Sequence, residues 1–312
     1  MAAVAADTPQ IADAALDLIT VEYEPLTPVL EGESAMQLSS PVVLPDELLQ
    51  YHSGAFARGS SASAIDDRVH SKNVASAFVM EIGDIANGFE TADVVLEDDF
   101  VVGAAHQGYI EPQSATALWS PDGQLTVWCS TQGQFAIRDF TAAVLGLDPG
   151  RVRVVPAEIG GGFGAKTFTT IEPVAAMLSM KTGGPVKITL SRTEVFECMG
   201  PTSATSIHLR MGVTRDGKLT AAAARMVYEA GAFPGSPVTP GAQCMFAPYD
   251  IPNARVEGYD VLVNKPKAAA YRAPGAPAAA FAVETMIDEF CEQLAMDPIE
   301  FRLKNTAREG TR

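Results

Sequence analysis

Apolar residues recur at helix and strand spacing along much of the chain, and this pattern predicts a mixed α+β fold. The clearest helix pattern lies near the C-terminus, where apolar residues fall at positions i, i+3, i+4, i+7 and i+11. Asp297 followed by Pro298 predicts the start of a further helix, because Asp caps helices and Pro fits their first position. The apolar face consists of Val283, Met286, Ile287, Phe290 and Leu294.

Shorter segments predict further elements of the same mixed fold. Alternating or β-branched runs predict strands, and runs rich in Ala, Met and Leu predict helices. The turn Thr214–Lys218 contains Asp-Gly, which predicts a hairpin between the strands on either side. The predicted helices are residues 8–18, Phe135–Leu145 and Ile171–Met180, and the predicted strands are Ile19–Tyr23, Ala92–Phe100, Leu125–Ser130, residues 151–156 and 185–190, Ser206–Val213 and Leu219–Tyr228.

A glycine-rich segment lies between a predicted strand and a predicted helix. Its sequence is Gly160-Gly161-Gly162-Phe163-Gly164-Ala165-Lys166-Thr167. Few side chains cover its backbone N–H groups, and the following helix N-terminus adds unpaired donors and the positive end of its dipole. The segment therefore predicts a site for an anionic or oxo-bearing ligand that the backbone can approach closely.

Two phosphate-binding motifs come close to this segment. Gly160, Lys166 and Thr167 fit a P-loop, but Ala165 occupies the position of its second glycine. Gly160, Gly162 and Ala165 match a dinucleotide-binding loop. That motif also needs an acidic residue at the end of the second strand, but Glu194 lies beyond the end of the next predicted strand. A tight turn without a ligand is a third interpretation of a glycine pattern taken alone.

The charge and the hydropathy of the chain argue against some classes of binding partner. The 312 residues include 22 Lys and Arg against 38 Asp and Glu, a formal net charge of −16. This excess argues against nucleic acid and against an anionic membrane surface. No apolar run approaches membrane-spanning length, and the N-terminus lacks a basic region followed by an apolar core. We therefore expect a cytoplasmic protein with a sizeable core.

Neither the cysteines nor the histidines show the spacing of metal ligands. Scattered cysteines without a C-x-x-C pair predict buried apolar thiols in a reducing compartment. The histidines are expected at the surface or satisfied in the core, so we predict that no protein side chain ligates a metal. These residues are Cys129, Cys198, Cys244 and Cys291, and His52, His70, His106 and His208.

Several further motifs, in order along the chain, accompany the glycine segment. Together they resemble the molybdopterin-binding large subunit of the xanthine dehydrogenase and aldehyde oxidase family, over almost the whole chain. The motifs are His106-Gln107-Gly108-Tyr109-Ile110-Glu111-Pro112, Ser130-Thr131-Gln132, the glycine segment, Ala270-Tyr271-Arg272-Ala273-Pro274-Gly275-Ala276-Pro277, and the run Asp297-Pro298-Ile299-Glu300-Phe301-Arg302-Leu303-Lys304-Asn305.

This resemblance implies a domain organisation. Residues 1–34 would be the C-terminal end of a small α/β hammerhead-like domain, and residues 35–85 a connector. Residues 86–312 would form the first molybdopterin-binding domain, of mixed sheets and helices, incomplete and without the second such domain. Within the connector, Gly59-Ser60-Ser61-Ala62-Ser63 is small and polar, and we expect it to be flexible.

The resemblance also implies site residues, cofactors and partners. Gln132 would act in catalysis by donating a hydrogen bond from its amide to an oxo ligand of molybdenum. The expected cofactor is molybdenum–molybdopterin, with the cytosine dinucleotide form left open. Iron–sulfur centres and FAD are expected on partner subunits of a hetero-oligomer, with a small molecule as substrate. The implied cofactor-binding residues are Gln132, Gly161, Gly162, Phe163, Gly164 and Arg272.

Three departures from the family's pattern bear on the substrate. Purine hydroxylases of the family carry Glu directly after the loop's Lys, where this chain has Thr167, and an Arg where it has Pro240. Carbon monoxide dehydrogenases of the family have Cys after Ala-Tyr-Arg, where this chain has Ala273. We therefore expect water-derived oxygen to be added to an aldehyde, an aromatic compound or a non-purine N-heterocycle.

The family's general base is a Glu in the second molybdopterin domain, and no motif here matches it. Glu111, Glu158 and Glu284 do not lie in the corresponding motif. The chain alone is therefore expected to be inactive as a hydroxylase. Two other interpretations stay open: a nucleotide- or NAD-binding enzyme that uses the Gly160–Lys166 loop, and a catalytically inactive fragment or assembly subunit.

Overall fold

The computed structural model describes residues 2–45 and 71–311, which fall into two compact units. Of the described residues, the first unit comprises 2–26, His106–Gly200 and Ala269–Arg272. The second comprises 27–45, 71–105, Pro201–Ala268 and 273–311. Each unit has its own sheet and helices, which agrees with the α+β class.

The elements are numbered in chain order within the described residues. The strands are β1 (Val74–Ile82), β2 (Val94–Val102), β3 (Ser114–Trp119), β4 (Leu125–Cys129), β5 (Val152–Pro156), β6 (Val186–Thr189), β7 (Thr205–Val213), β8 (Leu219–Gly231) and β9 (Ala254–Leu262). The helices are α1 (Pro9–Leu16), α2 (Gly32–Ala35), α3 (Ile85–Glu90), α4 (Gln134–Leu145), α5 (Glu172–Thr182), α6 (Arg192–Cys198), α7 (Val238–Met245), α8 (Ala276–Leu294) and α9 (Pro298–Asn305).

The sheet of the first unit has the strand order β5-β4-β3-β6. β4 pairs with β5 in parallel, whereas β3 pairs with β4 and β6 in antiparallel orientation. Helices α4 and α5 supply part of the core, in which Leu125, Val127 and Ile137 are almost fully buried. The carboxyl ends of the parallel pair β4 and β5 lead into the Ser-Thr-Gln motif and the glycine segment. The sheet thereby brings two of the sequence motifs to one edge.

The sheet of the second unit has the order β1-β9-β8-β7-β2, with β8 and β9 parallel and the other pairs antiparallel. Both faces are covered, because alternate residues of β8 enter different clusters. Met226 and Tyr228 pack with α7 and α8, whereas Val227 packs with Val29 and Ala35. A sheet buried on both faces needs apolar residues at consecutive positions, which explains why β8 does not alternate.

The predicted C-terminal helices and the hairpin are confirmed. The predicted apolar face of α8 is buried at Val283, Met286, Ile287 and Phe290. Asp297 caps α9, since its Oδ1 accepts hydrogen bonds from the backbone N–H groups of the second and third helical residues at 2.8 and 3.1 Å.

The predicted strand at Ile19–Tyr23 is wrong. These residues have no regular structure, and none of the described strands pairs with them. An isolated β-branched run cannot satisfy its backbone groups without a neighbouring strand. The preceding helix forms as α1, but none of its residues is buried.

The segment 35–85, predicted as a connector, contains the strand β1, which pairs along its length with β9. The sequence of β1 shows no regular alternation of apolar and polar residues, so the pattern did not predict this strand. The Gly59–Ser63 stretch lies outside the described residues. That residues 1–34 end a hammerhead-like domain stays a prediction.

Candidate cofactor-binding site

The glycine segment forms an irregular loop between β5 and a short 3-10 turn at Ala165–Thr167. Gly161 and Gly164 have φ angles of 92° and 102°, which glycine adopts without steric cost. Phe163 lies between them at φ 52°, in the left-handed region, which costs a non-glycine residue roughly 1–2 kcal/mol. Its ring is 48% exposed, so burial does not offset that strain. Strain of this kind concentrates at functional sites.

Three consecutive backbone N–H groups of this loop are available to a ligand. On either side of them, the Gly160 N–H donates to the Glu111 carboxylate and the Gly164 N–H donates to Gln132. Within residues 2–45 and 71–311, the N–H groups of Gly161–Phe163 donate no hydrogen bond. The loop therefore presents a row of donors of the kind that binds oxo groups and anions.

Gln132 faces this loop in a fixed orientation. Its Oε1 accepts the Gly164 N–H at 2.9 Å, and its backbone N–H donates to the Lys166 carbonyl at 2.9 Å. An N–H can only donate, so the atom that meets it is the amide oxygen, and the NH₂ group is left on the other side. No described residue accepts from that NH₂ group. It is therefore free to donate to a ligand.

Gly162 leaves no room for a side chain. A Cβ built at this position would lie 2.4 Å from Oε1 of Gln132. Gly164 is similarly confined, because a Cβ there would lie 3.0 Å from the carbonyl oxygen of Ala270. These close approaches explain why glycine occupies both positions.

The Ala-Tyr-Arg motif lies against the same loop. The Arg272 N–H donates to the Phe163 carbonyl at 2.9 Å, and Nε2 of Gln107 donates to the Ala270 carbonyl at 3.1 Å. The Arg272 guanidinium is exposed, and none of the described residues pairs with it. Both the His-Gln-Gly motif and the glycine loop thus hold the backbone around Arg272, while its charge stays available.

Lys166 and Glu111 form an ion pair under the loop, in which the lysine is buried and the glutamate is part-buried. The Lys166 Nζ lies 2.7 Å from the Glu111 Oε2, and the Lys166 side chain is 1% exposed. A P-loop lysine must reach phosphate oxygens, but this ammonium group is already bound and covered. The geometry therefore argues against the P-loop interpretation.

The expected contribution of a helix N-terminus is wrong. The helix after the loop, α5, begins only at Glu172, beyond the 3-10 turn and a further stretch of irregular backbone. Glu172 is buried, and its own carboxylate accepts the Thr170 N–H at 2.7 Å at this helix end. Burial raises the pKa of that carboxyl group. Since Glu172 occupies the helix end, the pyrophosphate position of a dinucleotide loop is not available.

The interpretation of all four cysteines as buried is wrong for two of them. Cys129 and Cys291 are buried, and burial raises the pKa of Cys129 to about 12. Cys198 ends the short helix α6 and Cys244 lies on the outer side of α7, so both are exposed.

Within the described residues, no group of His, Cys, Asp and Glu is arranged to hold a metal ion. The same residues include no helix that is both long and apolar enough to cross a membrane. His52 and His70 lie outside the described residues.

The structure brings together the sequence-predicted site residues Gln132, Gly161–Gly164 and Arg272. Sequence reasoning missed Glu111 as a partner of the loop and Gln107 as a partner of the Ala-Tyr-Arg motif, and left Lys166 without a role. Glu111 and Lys166 are separated by 55 positions, so spacing could not pair them. One signal in the sequence could have indicated the pair: a lysine within a glycine loop needs a carboxylate partner if its side chain is buried.

Comparison with known proteins agrees with this geometry. A family model described as the molybdopterin cofactor-binding domain matches residues 66–306. The chain is 31% identical to the nicotinate dehydrogenase large molybdopterin subunit of Eubacterium barkeri, over 100% of this chain and 68% of that subunit. It is 30% identical to a probable xanthine dehydrogenase subunit of Bacillus subtilis, over 98% of this chain and 38% of that protein.

A solved structure has the same fold. The aldehyde oxidoreductase from Desulfovibrio gigas superposes with a TM-score of 0.83 at 29% identity, over 98% of this chain and 32% of that one. The chain therefore spans about a third of the longer relatives. The matching family model, which covers most of the chain, and the shared fold lead to one conclusion: this chain belongs to the molybdopterin cofactor-binding domain family, that of the molybdenum-binding subunits of xanthine dehydrogenases and aldehyde oxidoreductases.

Proposed function

We propose that the Gly160–Lys166 loop, Gln132 and Arg272 together bind the molybdenum–molybdopterin cofactor of a hydroxylase. The observation that carries this proposal is the row of three free backbone N–H groups, Gly161–Phe163, beside the free NH₂ group of Gln132. When bound, the cofactor supplies the redox centre that takes up electrons from the substrate. The residues of this chain bind and orient it.

The donor set suits a group that carries oxo and phosphate oxygens. Backbone N–H groups and an amide NH₂ donate hydrogen bonds without titrating, so the site keeps its character across the pH range. Arg272 adds a permanent charge and a planar fork of donors that matches phosphate or carbonyl oxygens. A net charge of −16 does not oppose this binding, because the donors are local and the nearby Glu111 carboxylate is neutralised by Lys166.

We propose that the enzyme containing this chain hydroxylates an aldehyde, an aromatic compound or an N-heterocycle with oxygen derived from water. Its partners would be an iron–sulfur subunit and an FAD subunit, and the pterin could carry a cytosine dinucleotide. The relatives bear the names of nicotinate, xanthine and aldehyde enzymes at 29–31% identity. Overall similarity therefore does not select a substrate, and individual residues must.

Thr167 supports a preference against purines. It stands where the purine hydroxylases of the family carry Glu, and its hydroxyl donates to the Gly164 carbonyl at 2.9 Å. A hydroxyl without charge, whose proton already has an acceptor, cannot replace a carboxylate that holds a heterocycle.

The binding proposal is tested by adding one methyl group to the loop. In Gly162→Ala the new Cβ must displace Gln132, since it would lie 2.4 Å from Oε1. The matched control is Gly184→Ala in the same unit, where a Cβ meets nothing within 4 Å. Both variants are incubated with the molybdenum–molybdopterin cofactor, and bound molybdenum is measured after gel filtration.

We expect Gly162→Ala to retain about 10- to 100-fold less cofactor than wild type, as for other lost groups that orient a ligand. The control should retain the wild-type amount. Equal retention by wild type and Gly162→Ala would show that the cofactor binds elsewhere, and would contradict the proposal.

A further inference from the structure

One carboxylate holds the beginning of the glycine loop. Glu111 contacts both polar backbone groups of Gly160: its N–H donates to the Gly160 carbonyl at 3.2 Å, and its Oε2 accepts the Gly160 N–H at 2.8 Å. The two backbones approach closely, because a Cβ at Gly160 would lie 2.7 Å from the Cβ of Glu111. The first residue of the loop is thus fixed on both sides.

The same carboxylate holds the end of the loop. Oε2 of Glu111 also accepts a hydrogen bond from the Lys166 Nζ at 2.7 Å. This ammonium group lies 4.9 Å from the centre of the Tyr109 ring, which gives it a second favourable contact. The Lys166 carbonyl accepts the Gln132 N–H at 2.9 Å and the Thr131 hydroxyl at 3.0 Å. Lys166 therefore joins Glu111 to the Ser-Thr-Gln motif.

These bonds close the loop into a ring. Its two ends, Gly160 and Lys166, meet at a single carboxylate oxygen, and the free N–H groups of Gly161–Phe163 lie between them. A buried ammonium group requires a counter-charge, so the pairing is strongly favoured over separation. The direction of the free N–H groups depends on where the two ends are held.

We propose that Glu111 is a positioning residue for the cofactor site: it acts through Gly160 and Lys166 to set the arrangement of the loop's free donors. The inference rests on the proposed binding of the cofactor by this loop. Glu111 itself has both contacts of its Oε2 directed into the protein, and it needs no contact with the cofactor.

The second unit offers a matched control. Glu229 has the same bonding, since its Oε1 accepts the Gly32 N–H at 3.0 Å and its Oε2 accepts the Lys265 Nζ at 2.7 Å. Its side chain is 8% exposed. Glu229→Gln therefore removes a carboxylate that joins a glycine to a lysine and is more buried than Glu111, whose side chain is 32% exposed, but it lies in a different unit of the chain.

The experiment compares Glu111→Gln with Glu229→Gln by two readouts. The first is residue-resolved hydrogen exchange in the cofactor-free chain at Gly160, Gly164 and Ala165, whose N–H groups are hydrogen-bonded. The second is molybdenum retained after incubation with the molybdenum–molybdopterin cofactor. We expect Glu111→Gln to accelerate exchange at these amides about tenfold or more, because local opening becomes easier. We expect it to retain about 10- to 100-fold less molybdenum.

Glu229→Gln should alter neither readout, although both variants should lower the unfolding temperature. If Glu111→Gln matches Glu229→Gln in either readout, the positioning role is contradicted. Gly162→Ala separates this result from a failure of the proposed function. Loss of molybdenum in Gly162→Ala but not in Glu111→Gln overturns this inference alone, whereas retention in Gly162→Ala overturns the proposed function.

A second variant covers the case in which Glu111→Gln does not fold, since it leaves the Lys166 charge buried without a partner. The double variant Glu111→Gln/Lys166→Met removes that charge as well and keeps a side chain of similar length. It should fold and still show the faster exchange and the lower molybdenum retention. Wild-type values for the folded double variant would overturn the inference.

Discussion

At the scale of single residues, the polar groups around the loop divide into those that are bound within the protein and those left available. The side chains of Lys166, Glu111 and Glu172 are each bound by neighbouring groups of their own unit. What is left available is the backbone N–H of Gly161–Phe163, the NH₂ group of Gln132 and the exposed guanidinium of Arg272. The proposed site therefore offers backbone N–H groups, one amide and one arginine rather than side chains that titrate near neutral pH.

Glu172 gives a pH-dependent prediction. Burial raises its pKa in the folded chain above the unfolded value of about 4.3. Between the unfolded and the folded pKa, this carboxyl group has lost its proton in the unfolded chain but keeps it in the folded chain. The free energy of unfolding therefore falls as the pH rises through the folded pKa. In Glu172→Gln the amide oxygen can still accept the Thr170 N–H, but the group no longer titrates. We expect the free energy of unfolding of wild type to fall relative to this variant as the pH rises above about 4.3, by about 1.4 kcal/mol per unit of pKa shift.

Urea unfolding of both proteins between pH 4 and pH 8 measures this difference. Glu158→Gln, which changes an exposed carboxyl in the same unit, should follow the wild-type curve. If the free energy of unfolding depends on pH in the same way for wild type and Glu172→Gln, the pKa of Glu172 is not raised in the folded chain, and the prediction is contradicted.

At the scale of elements, α9 fixes the hairpin that joins β7 and β8. Asn305, at the end of α9, is fully buried. Its Nδ2 donates to the Gly217 carbonyl at 2.7 Å, and its Oδ1 accepts the Leu219 N–H at 2.9 Å. Gly217 has a φ of 79°, the conformation that makes Asp-Gly favourable in this turn. One side chain therefore satisfies both buried backbone groups of the turn.

Removing that side chain should destabilise the fold. Asn305→Ala leaves the Gly217 carbonyl and the Leu219 N–H buried without partners, at about 1–3 kcal/mol each. We expect a total loss of about 2–6 kcal/mol in the free energy of unfolding by urea. Leu303→Ala on the same helix is the control, since Leu303 is 64% exposed and should change stability by less than about 0.5 kcal/mol. If Asn305→Ala also lowered the free energy of unfolding by less than about 0.5 kcal/mol, the proposed role of Asn305 in holding the turn would be contradicted.

The sequence predicted α8 from its apolar stripe and β8 from the Asp-Gly turn that precedes it. The stripe of α8 was visible because one side is buried and the other exposed. The strands β1, β3 and β9 were missed: the residues of β1 show no regular alternation, and those of β3 and β9 alternate only over their first four positions. Gln132 and the glycines could be predicted from motifs, whereas the pairing of Glu111 with Lys166 depends on packing between segments distant in sequence.

At the scale of the whole molecule, each of the two units is formed by separate segments of the sequence, and most of the motifs around the proposed site belong to the first unit. The Ser-Thr-Gln motif, the glycine loop and Arg272 belong to the first unit, whereas Pro240 and Ala273 belong to the second. Cofactor binding can therefore be examined with residues of one unit, and choice of substrate requires the enzyme that contains the whole chain.

The substrate preference is tested on that enzyme, with its partners. Thr167 carries no charge to hold a protonated ring nitrogen, so we expect kcat/KM for benzaldehyde to exceed that for hypoxanthine. Thr167→Glu places a carboxylate at the position used by purine hydroxylases, and it should move the ratio towards hypoxanthine. A wild-type preference for hypoxanthine by tenfold, about 1.4 kcal/mol at the transition state, would show that other residues orient the substrate.

The most direct test of the cofactor site is hydrogen exchange at Gly161, Gly162 and Phe163, measured in the chain with and without the molybdenum–molybdopterin cofactor. These N–H groups have no acceptor among the described residues, so they should exchange rapidly in the cofactor-free chain. If they donate to the cofactor, its binding should slow their exchange about tenfold or more. Bound cofactor, confirmed by molybdenum content, with unchanged exchange at all three amides would contradict the account.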